Sequence, residues 1–382
     1  MELGLEHCIT TKTAFEVTHL EQYKFYHLPS SDEARLQSRP TPAMQDSHQS
    51  PTAYKVLLKP AMIATLALGL LWYAFKGINF SDIWNYTKNL KPLPVLMIFI
   101  SGVFGNFLRS YRWTLLLSPL KSASEAKISQ FNTFYSVSIG YAVNVFAPRG
   151  GEVARLLSIC KSEKLPWAGV LPTVLIDRLL DVAILLAIFG VTLLILPPDL
   201  LHAMPWLQTG GSVLLLIVSI GLALLPRAGT IFSKMLNSTV LQKLLSKNLR
   251  TKLCQLTADF DQGTLSLKNI TVYPKVALIS IGIWFTYWLN FYLMSQAFGL
   301  DDIIDAAKCL IIFSIGSIGS LIPTPSSVGG FHLLVKEAAV ITVKLDPTQA
   351  IAYATVLHFV SMIVVSLIPA LALWLYKRYS YK

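Results

Sequence analysis

Long apolar segments separated by short polar loops occupy most of the chain after residue 55. Eight such segments lie at 56–75, 93–117, 128–147, 171–196, 207–225, 273–298, 303–322 and 351–376, and a shorter ninth covers 331–343. A helix needs about 20 residues to cross the hydrocarbon core of a bilayer, so most of these segments are long enough to span a membrane. The pattern predicts an all-α, multi-pass membrane domain over residues 55–382.

Composition supports this fold class. The 382 residues have a mean hydropathy of +0.55, and only 14% of them are charged, against roughly 25% in soluble domains. The four cysteines are scattered, so we expect neither a disulfide framework nor a zinc site. The sequence contains no Walker loop, HExxH, GxSxG or dinucleotide-binding fingerprint. We therefore expect no metal and no cofactor, and a transporter is favoured over an enzyme.

Residues 1–54 differ from the rest of the chain. They are polar and rich in proline, and they lack the charged and apolar regions of a secretory signal. The composition predicts a disordered cytoplasmic extension. Met44 lies shortly before the first apolar segment, and a translation start at Met44 is an alternative hypothesis.

The net charge of +11 has a membrane explanation. Basic residues concentrate in the loops at 149–164 and 227–268 and at the chain end, and the positive-inside rule places these loops and the C-terminus in the cytoplasm. Anionic lipid, not nucleic acid, is therefore the expected partner. The third segment has basic residues on both flanks. Either this segment is re-entrant, or it crosses with one flank against the rule.

The stretch at about 230–267 has helical periodicity. Leucine and phenylalanine recur at three- and four-residue steps, and lysine and arginine fill the other positions. This pattern predicts an amphipathic cytoplasmic helix. Its basic face could lie on the inner leaflet, or the helix could pack over the cytoplasmic ends of the spans.

Two parts of the chain resemble each other. Residues 140–152 and 319–332 each combine the end of an apolar helix, proline and a Gly-Gly pair, and each is followed by Thr-Val-Leu, at 173–175 and 355–357. The predicted hinges are Pro148, Gly150, Gly151, Pro323, Pro325, Gly329 and Gly330. Paired broken helices are typical of transporter centres, and their N-termini attract anions. The alternative is two ordinary helix–loop–helix corners.

Charged residues at membrane depth form a first group of candidate site residues. Asp177, Arg178 and Asp181 lie inside an apolar segment, where each charge costs about 3 kcal/mol. Arg178 and Asp181 are three positions apart and can form an ion pair. The group either lines a substrate path or locks the fold near the cytoplasmic end of the span.

A second candidate group surrounds the first Gly-Gly pair. Glu152 falls in the first turn of the new helix, and Arg149 and Arg155 could bind a phosphate from either side. Arg109 and Arg112 end the second segment, where they serve either as positive-inside anchors or as head-group contacts. Asp305, in contrast, has the position expected of a helix cap.

The order of these polar residues resembles a known family. Residues 144–155 read N-V-F-A-P-R-G-G-E-V-A-R and are followed by D-R-L-L-D at 177–181. This is similar to the membrane region of lysylphosphatidylglycerol synthases, a family that includes stand-alone, flippase-like proteins. The resemblance covers roughly residues 90–376. It adds Asn144 and, in the later Pro/Gly-Gly element, Glu337 to the candidate substrate-binding residues.

The resemblance implies two pseudo-repeated halves and a lipid substrate. The chain ends after its last span, so we expect a member that lacks the soluble synthase domain. The expected function is binding or translocation of an anionic, aminoacylated or polyprenyl-phosphate-linked lipid in the bacterial inner membrane. The alternatives are a glycosyltransferase-like membrane enzyme with a lipid-phosphate donor, and a docking partner for a separate soluble enzyme.

Overall fold

The computed structural model describes residues 53–121, 127–147, 150–195, 247–264 and 272–380, together with isolated helical positions between 209 and 224. Most of these residues are helical, and they contain no strand. The helices are α1 (Ala53–Ala74), α2 (Phe80–Thr87), α3 (Pro92–Leu117), α4 (Gln130–Phe146), α5 (Gly150–Glu163), α6 (Trp167–Leu193), α7 (Lys247–Thr264), α8 (Tyr273–Ala297), α9 (Ala306–Gly319), α10 (Gly330–Val343), α11 (Pro347–His358) and α12 (Val365–Ser380).

The predicted all-α class is confirmed, and the helix bounds mostly fall within a few residues of the predicted segments. The extension at 1–52, the alternative start at Met44, most of the segment at 207–225 and residues 230–246 lie outside the described residues. The described part of the predicted amphipathic stretch is α7. Residues 60–230 and 256–382 group into one compact unit.

Four helical stretches among the described residues are long and apolar enough to cross a membrane: Pro92–Lys121, Tyr273–Ala297, Pro325–Val343 and Pro347–Tyr379. The last of these comprises α11, a π-helical turn at Phe359–Val364 and α12. Helix α6 is also long, with 27 residues, but it carries the three charges at positions 177, 178 and 181.

Helices α4 and α5 form an antiparallel hairpin. Asn132 near the start of α4 donates to Glu163 at the end of α5 over 2.7 Å, and Ser136 and Ser158 are hydrogen-bonded at 2.9 Å further in. At the tip, Gly140 and Gly151 bring the two backbones together. The helices have 17 and 14 residues, about 26 and 21 Å, which is short of a bilayer core of about 30 Å. These lengths favour the re-entrant alternative for the third apolar segment.

Helices α9 and α10 form a second hairpin of the same design. A Cβ on Gly319 would lie 2.6 Å from the Gly330 carbonyl oxygen, and one on Gly330 would lie 2.8 Å from that of Gly319. Gly329 begins α10 with φ +91°, a conformation that suits only glycine. The tip also contains Ser326 and Ser327, both with positive φ. The two hairpins confirm the predicted pseudo-repeat.

Helices α3 and α8 pack closely against each other and join the two halves. A Cβ on Gly105 would lie 2.5 Å from the Thr286 hydroxyl, and Ser101 donates to the Thr286 carbonyl over 3.4 Å. Small residues at such a crossing let the backbones approach closely, which is how helices associate inside a membrane. This contact places the polar residues of α3 opposite those of α8.

The basic C-terminus lies at the open end of the first hairpin. The Lys377 ammonium is 3.5 Å from the Ser162 hydroxyl and 4.1 Å from the centre of the Tyr135 ring. The two basic regions at 149–164 and 377–378, which the positive-inside rule assigns to one side, are therefore next to each other.

Candidate functional site

A buried cluster of charges connects three helices of the first half. It comprises four arginines and three carboxylates: Arg109, Arg112, Glu152, Arg155, Asp177, Arg178 and Asp181. Arg109 and Arg112 come from α3, Glu152 and Arg155 from the first turns of α5, and the rest from α6. The cluster carries one more positive charge than negative charges.

Asp177 is the centre of the cluster and is completely buried. One of its carboxylate oxygens accepts from Arg112 at 2.7 and 3.0 Å, and the other accepts from both terminal nitrogens of Arg155 at 3.0 Å. Hydrogen bonds between a charged guanidinium and a carboxylate are roughly twice as strong as those between neutral groups. Asp177 lies ten residues after Trp167, about 15 Å along α6.

Asp181 lies one turn further along α6 and shares two of the same arginines. It accepts from Arg112 over 2.6 Å and from Arg109 in a shorter contact. The predicted pair with Arg178 is present at 3.6 Å. The two aspartates therefore face the same side of α6, and the guanidinium groups of α3 bridge them.

Arg178 and Glu152 form the accessible edge of the cluster. They pair at 3.1 Å, and their side chains are 37% and 25% exposed, whereas those of Arg112 and Asp177 are fully buried. Glu152 also lies 3.0 Å from Arg155. The excess positive charge can therefore be reached through Arg178.

Aromatic rings support the buried arginines. The Arg155 guanidinium lies 4.6 Å from the centre of the Trp113 ring, and Arg109 lies 5.9 Å from that of Tyr141. Arg109 also donates to the Tyr287 hydroxyl over 3.1 Å. Tyr287 belongs to α8, so this bond connects the cluster to the second half of the molecule.

A cavity of about 620 Å³ lies between the two halves beside the cluster. The first half contributes Arg109, Arg178 and Asp181 to its wall. The second half contributes amide and hydroxyl groups from α8, the tip of the second hairpin and the π-helical turn, together with aromatic rings such as Phe291 and Phe313. The cavity therefore has a charged end, a neutral polar wall and an apolar surface.

Four of the eight predicted substrate-binding residues line this cavity, namely Asn144, Glu152, Arg178 and Asp181, and Arg155 and Asp177 belong to the adjoining cluster. Asn144 lines it and accepts from the Gly151 backbone N–H over 2.9 Å, which caps α5. Glu337 does not line it; this residue pairs with Lys336 at 3.2 Å on α10. Pro148 and Arg149 lie outside the described residues. The hinge roles of the glycines and prolines stay a prediction, although Gly151 and Gly330 make close backbone contacts.

Sequence reasoning did not place Arg109 and Arg112 at the centre of the site. They were expected at a membrane surface, as anchors or head-group contacts, but their residues are only 3% and 0% exposed. Arg112 is followed by Trp113 and by further, mainly apolar residues up to Leu117. This continuation of the apolar segment is the signal that the two arginines lie inside it and not on its flank. Tyr287 and Asn290, which also line the cavity, had no sequence signal of their own.

The acidic residues at 301–305 are separate from this site. Asp305 caps α9 by accepting from the Lys308 backbone N–H over 2.9 Å, as expected. This bond, with the nearby Lys308 ammonium, holds the pKa of Asp305 below its usual range. Among the described residues, no group of three or more histidine, cysteine or acidic side chains could hold a metal ion.

The sequence model of the lysylphosphatidylglycerol synthase transmembrane region matches residues 56–368. The chain belongs to this family. It is also 23% identical over 313 residues to a UPF0104 membrane protein of Methanocaldococcus jannaschii, in an alignment that covers 75% of this chain and 89% of the relative. No solved structure matches the chain.

Proposed function

We propose that this protein binds an anionic membrane lipid in the central cavity and moves it between the two leaflets. The observation that carries the proposal is the cavity wall, which combines accessible positive charge with apolar aromatic surface. A lipid phosphate needs the first property and its acyl chains need the second. Membership of the synthase transmembrane-region family supports a lipid as the substrate.

The buried cluster suits this role because most of its charge is already compensated. Asp177 and Asp181 hold Arg109, Arg112 and Arg155 in place, and an unpaired charge at this depth would be costly. Arg178 is the more accessible arginine, and it shares Glu152 and the two aspartates with the others. A phosphate can therefore approach Arg178 without dismantling the cluster.

The paired hairpins support movement and not only binding. Broken helices that meet beside a cavity from two repeated halves are typical of proteins that expose a central site to alternate sides of a membrane. We place the C-terminus and the open end of the first hairpin in the cytoplasm, on the basis of their basic residues, and the protein in the bacterial inner membrane.

Lipid scrambling in proteoliposomes tests the proposal. Phosphatidylglycerol with a fluorescent acyl chain is incorporated, and the fraction that a membrane-impermeant quencher reaches is followed with time. We expect the protein to speed this exchange well above that of protein-free vesicles. Arg178→Gln removes the excess charge and keeps the pairs that Arg109, Arg112 and Arg155 form with the two aspartates. We therefore expect it to slow the exchange about tenfold or more.

Arg378→Gln is the matched control because Arg378 lies on α12 outside the cavity, against Trp374. It should scramble lipid like the unaltered protein. Exchange that is no faster than in protein-free vesicles, or equal rates for both variants, would contradict the proposal.

A further inference from the structure

The second half of the cavity wall is polar but carries no charge. Its polar residues are Trp284, Tyr287, Asn290, Ser317, Ser320, Thr324, Ser326, Ser327, Ser361 and Ser366. Asn290 lies on α8 three residues after Tyr287, the partner of Arg109, so it follows directly on the charged end. The neutral wall is therefore positioned to contact whatever lies beyond a phosphate at the arginines.

Five hydroxyls of this wall are oriented as acceptors. Ser361 donates its proton to the Leu357 carbonyl over 2.6 Å, and Ser320 donates to the Ser317 carbonyl over 2.6 Å. Thr324, Ser327 and Ser366 likewise donate to backbone carbonyls. A hydroxyl whose proton is already donated keeps its lone pairs. The wall thus offers oxygen acceptors and calls for a ligand with donors.

Asn290 adds an acceptor whose partner is missing. The residue is 3% exposed, and its side-chain carbonyl oxygen meets no donor among the described residues. The indole N–H of Trp284, two turns earlier on α8 and also in the cavity wall, likewise meets no acceptor there. Buried polar groups without partners are rare and point to an unseen one. A ligand hydroxyl can be both donor and acceptor, so it can satisfy either group.

The charges argue against an ammonium group as the donor. Glu152 and Asp181 are the two carboxylates among the described residues of the wall, and both are paired with arginines. The cluster as a whole carries excess positive charge. An ammonium group in the cavity would meet repulsion and no free carboxylate, at a depth where charges are costly.

We infer that the cavity selects a phosphodiester lipid whose head group ends in neutral hydroxyls, as a glycerol or a sugar does, over one that ends in an ammonium group. This inference rests on the proposed lipid function and names its substrate class. The phosphate lies at Arg178, and the hydroxyls donate to Asn290 and the serines of the second half.

Competition binding to the full chain in detergent tests the inference without requiring transport. Fluorescent phosphatidylglycerol is displaced by three unlabelled lipids with the same acyl chains. Phosphatidylglycerol and phosphatidylmethanol carry the same charge but differ in hydroxyls, and phosphatidylethanolamine ends in an ammonium group. We expect phosphatidylglycerol to compete about tenfold better than phosphatidylmethanol, with phosphatidylethanolamine the weakest.

Variants then assign the preference to the neutral wall. Asn290→Leu should weaken the binding of phosphatidylglycerol about five- to tenfold and change the binding of phosphatidylmethanol by no more than about twofold. Ser361→Ala, a milder change, should act in the same direction. Ser295→Ala is the matched control, because Ser295 is a buried serine of α8 that also donates to its own helix but lies outside the cavity.

Equal competition by phosphatidylglycerol and phosphatidylmethanol, or stronger competition by phosphatidylethanolamine, overturns the inference and leaves the proposed function standing. The inference is also overturned if phosphatidylglycerol still competes about tenfold better than phosphatidylmethanol in both the Asn290→Leu and the Ser361→Ala variants. The expected binding order without any scrambling supports the inference and removes the proposed translocation. Absence of displacement by every lipid overturns both.

Discussion

The two hairpins share a backbone design but differ in the chemistry around them. Gly140 and Gly151 meet at the tip of the first hairpin, and Gly319 and Gly330, with the same spacing, meet at the tip of the second. The first hairpin packs beside the buried ion pairs of α6. The second contributes hydroxyls and aromatic rings to the cavity.

The two copies of the repeat therefore share a backbone shape but supply different side chains to the cavity and its surroundings. In the repeat register that matches Thr173 with Thr355, Asp177 corresponds to Phe359, which is 55% exposed. The first half thus places a buried charge where the second half places an outward-facing ring. The result is one cavity with a charged side and a neutral side, which suits a ligand that has both an anionic and an uncharged polar part.

The largest expected effect comes from removing the central charge of the first half. Asp177→Asn leaves Arg112 with only Asp181 and Arg155 with only the part-exposed Glu152 as a counter-charge, which should cost about 3–5 kcal/mol. Thermal unfolding in detergent micelles, followed by tryptophan fluorescence, measures the loss. The same exchange at Asp301, which is half exposed and 3.8 Å from Lys91, should change stability by less than about 1 kcal/mol. Similar melting of both variants would contradict a structural role for the cluster.

The hairpin tips should tolerate an added methyl group to different degrees. In Gly151→Ala the new Cβ would lie 1.9 Å from the Gly140 carbonyl oxygen, whereas in Gly330→Ala the nearest atom is a flexible Ile322 methyl at 2.6 Å. We expect both to destabilise, Gly151→Ala by about 3 kcal/mol or more and Gly330→Ala by about 1–3 kcal/mol.

Gly190→Ala on α6 is the control for these variants, since nothing lies within 4 Å of its added Cβ. This change should be neutral or stabilise the helix by up to about 1 kcal/mol. Thermal unfolding in detergent micelles again measures the effect. A greater loss of stability in Gly330→Ala than in Gly151→Ala would show that the tip of the first hairpin is not the more tightly packed one.

The open end of the first hairpin should be sensitive to acid. Burial opposes ionisation of Glu163, but its bonds with Lys121, Asn132 and the Ser129 N–H prevail and lower its pKa. A lowered pKa means that the carboxylate stabilises the fold above the pKa of the unfolded group, about 4.3, and that this contribution is lost as the pH falls through the folded value.

Glu163→Gln should therefore cost about 1.5 kcal/mol at pH 7 and little at low pH. Melting temperatures between pH 3 and about pH 8 measure this difference. A constant difference across that range would show that the charge of Glu163 does not matter.

The smallest expected effect is at the cap of α5. Asn144→Ala removes the acceptor of the Gly151 N–H, which should cost about 1 kcal/mol. Asn144→Asp keeps an acceptor and should retain most of the stability. The corresponding position of the second half, counted from the paired glycines, is Pro323, which has no such side chain. Equal loss in both Asn144 variants would indicate that the capping bond is not what stabilises this tip.

Much of the fold is predictable from the sequence because its signals are local. The length of each apolar segment gives a helix within a few residues, and the Pro/Gly-Gly spacing gives both hairpins. Asp177, Arg178 and Asp181 attract notice because charges inside apolar segments are rare. Helix α2 and the π-helical turn have no comparable signal, since neither depends on a long apolar run.

The partners of these charges were less predictable, since they come from distant parts of the chain. The sequence indicates the pair Arg178–Asp181, which lies within one turn of α6. It does not indicate that Arg112, 65 positions before Asp177, is a principal partner of that residue, or that Arg109 reaches Tyr287 on α8. These contacts depend on how α3 packs against α6 and α8.

The sequence alone therefore determined that this is an all-α membrane protein with two broken-helix repeats and charges inside the bilayer, because hydropathy, proline and glycine act on the residues next to them. Only the tertiary structure decided which half supplies charge and which supplies hydroxyls to the cavity. The reason is geometric: the wall is made of residues that are far apart in the chain and become neighbours only when α3, α6, α8 and the two hairpins pack together.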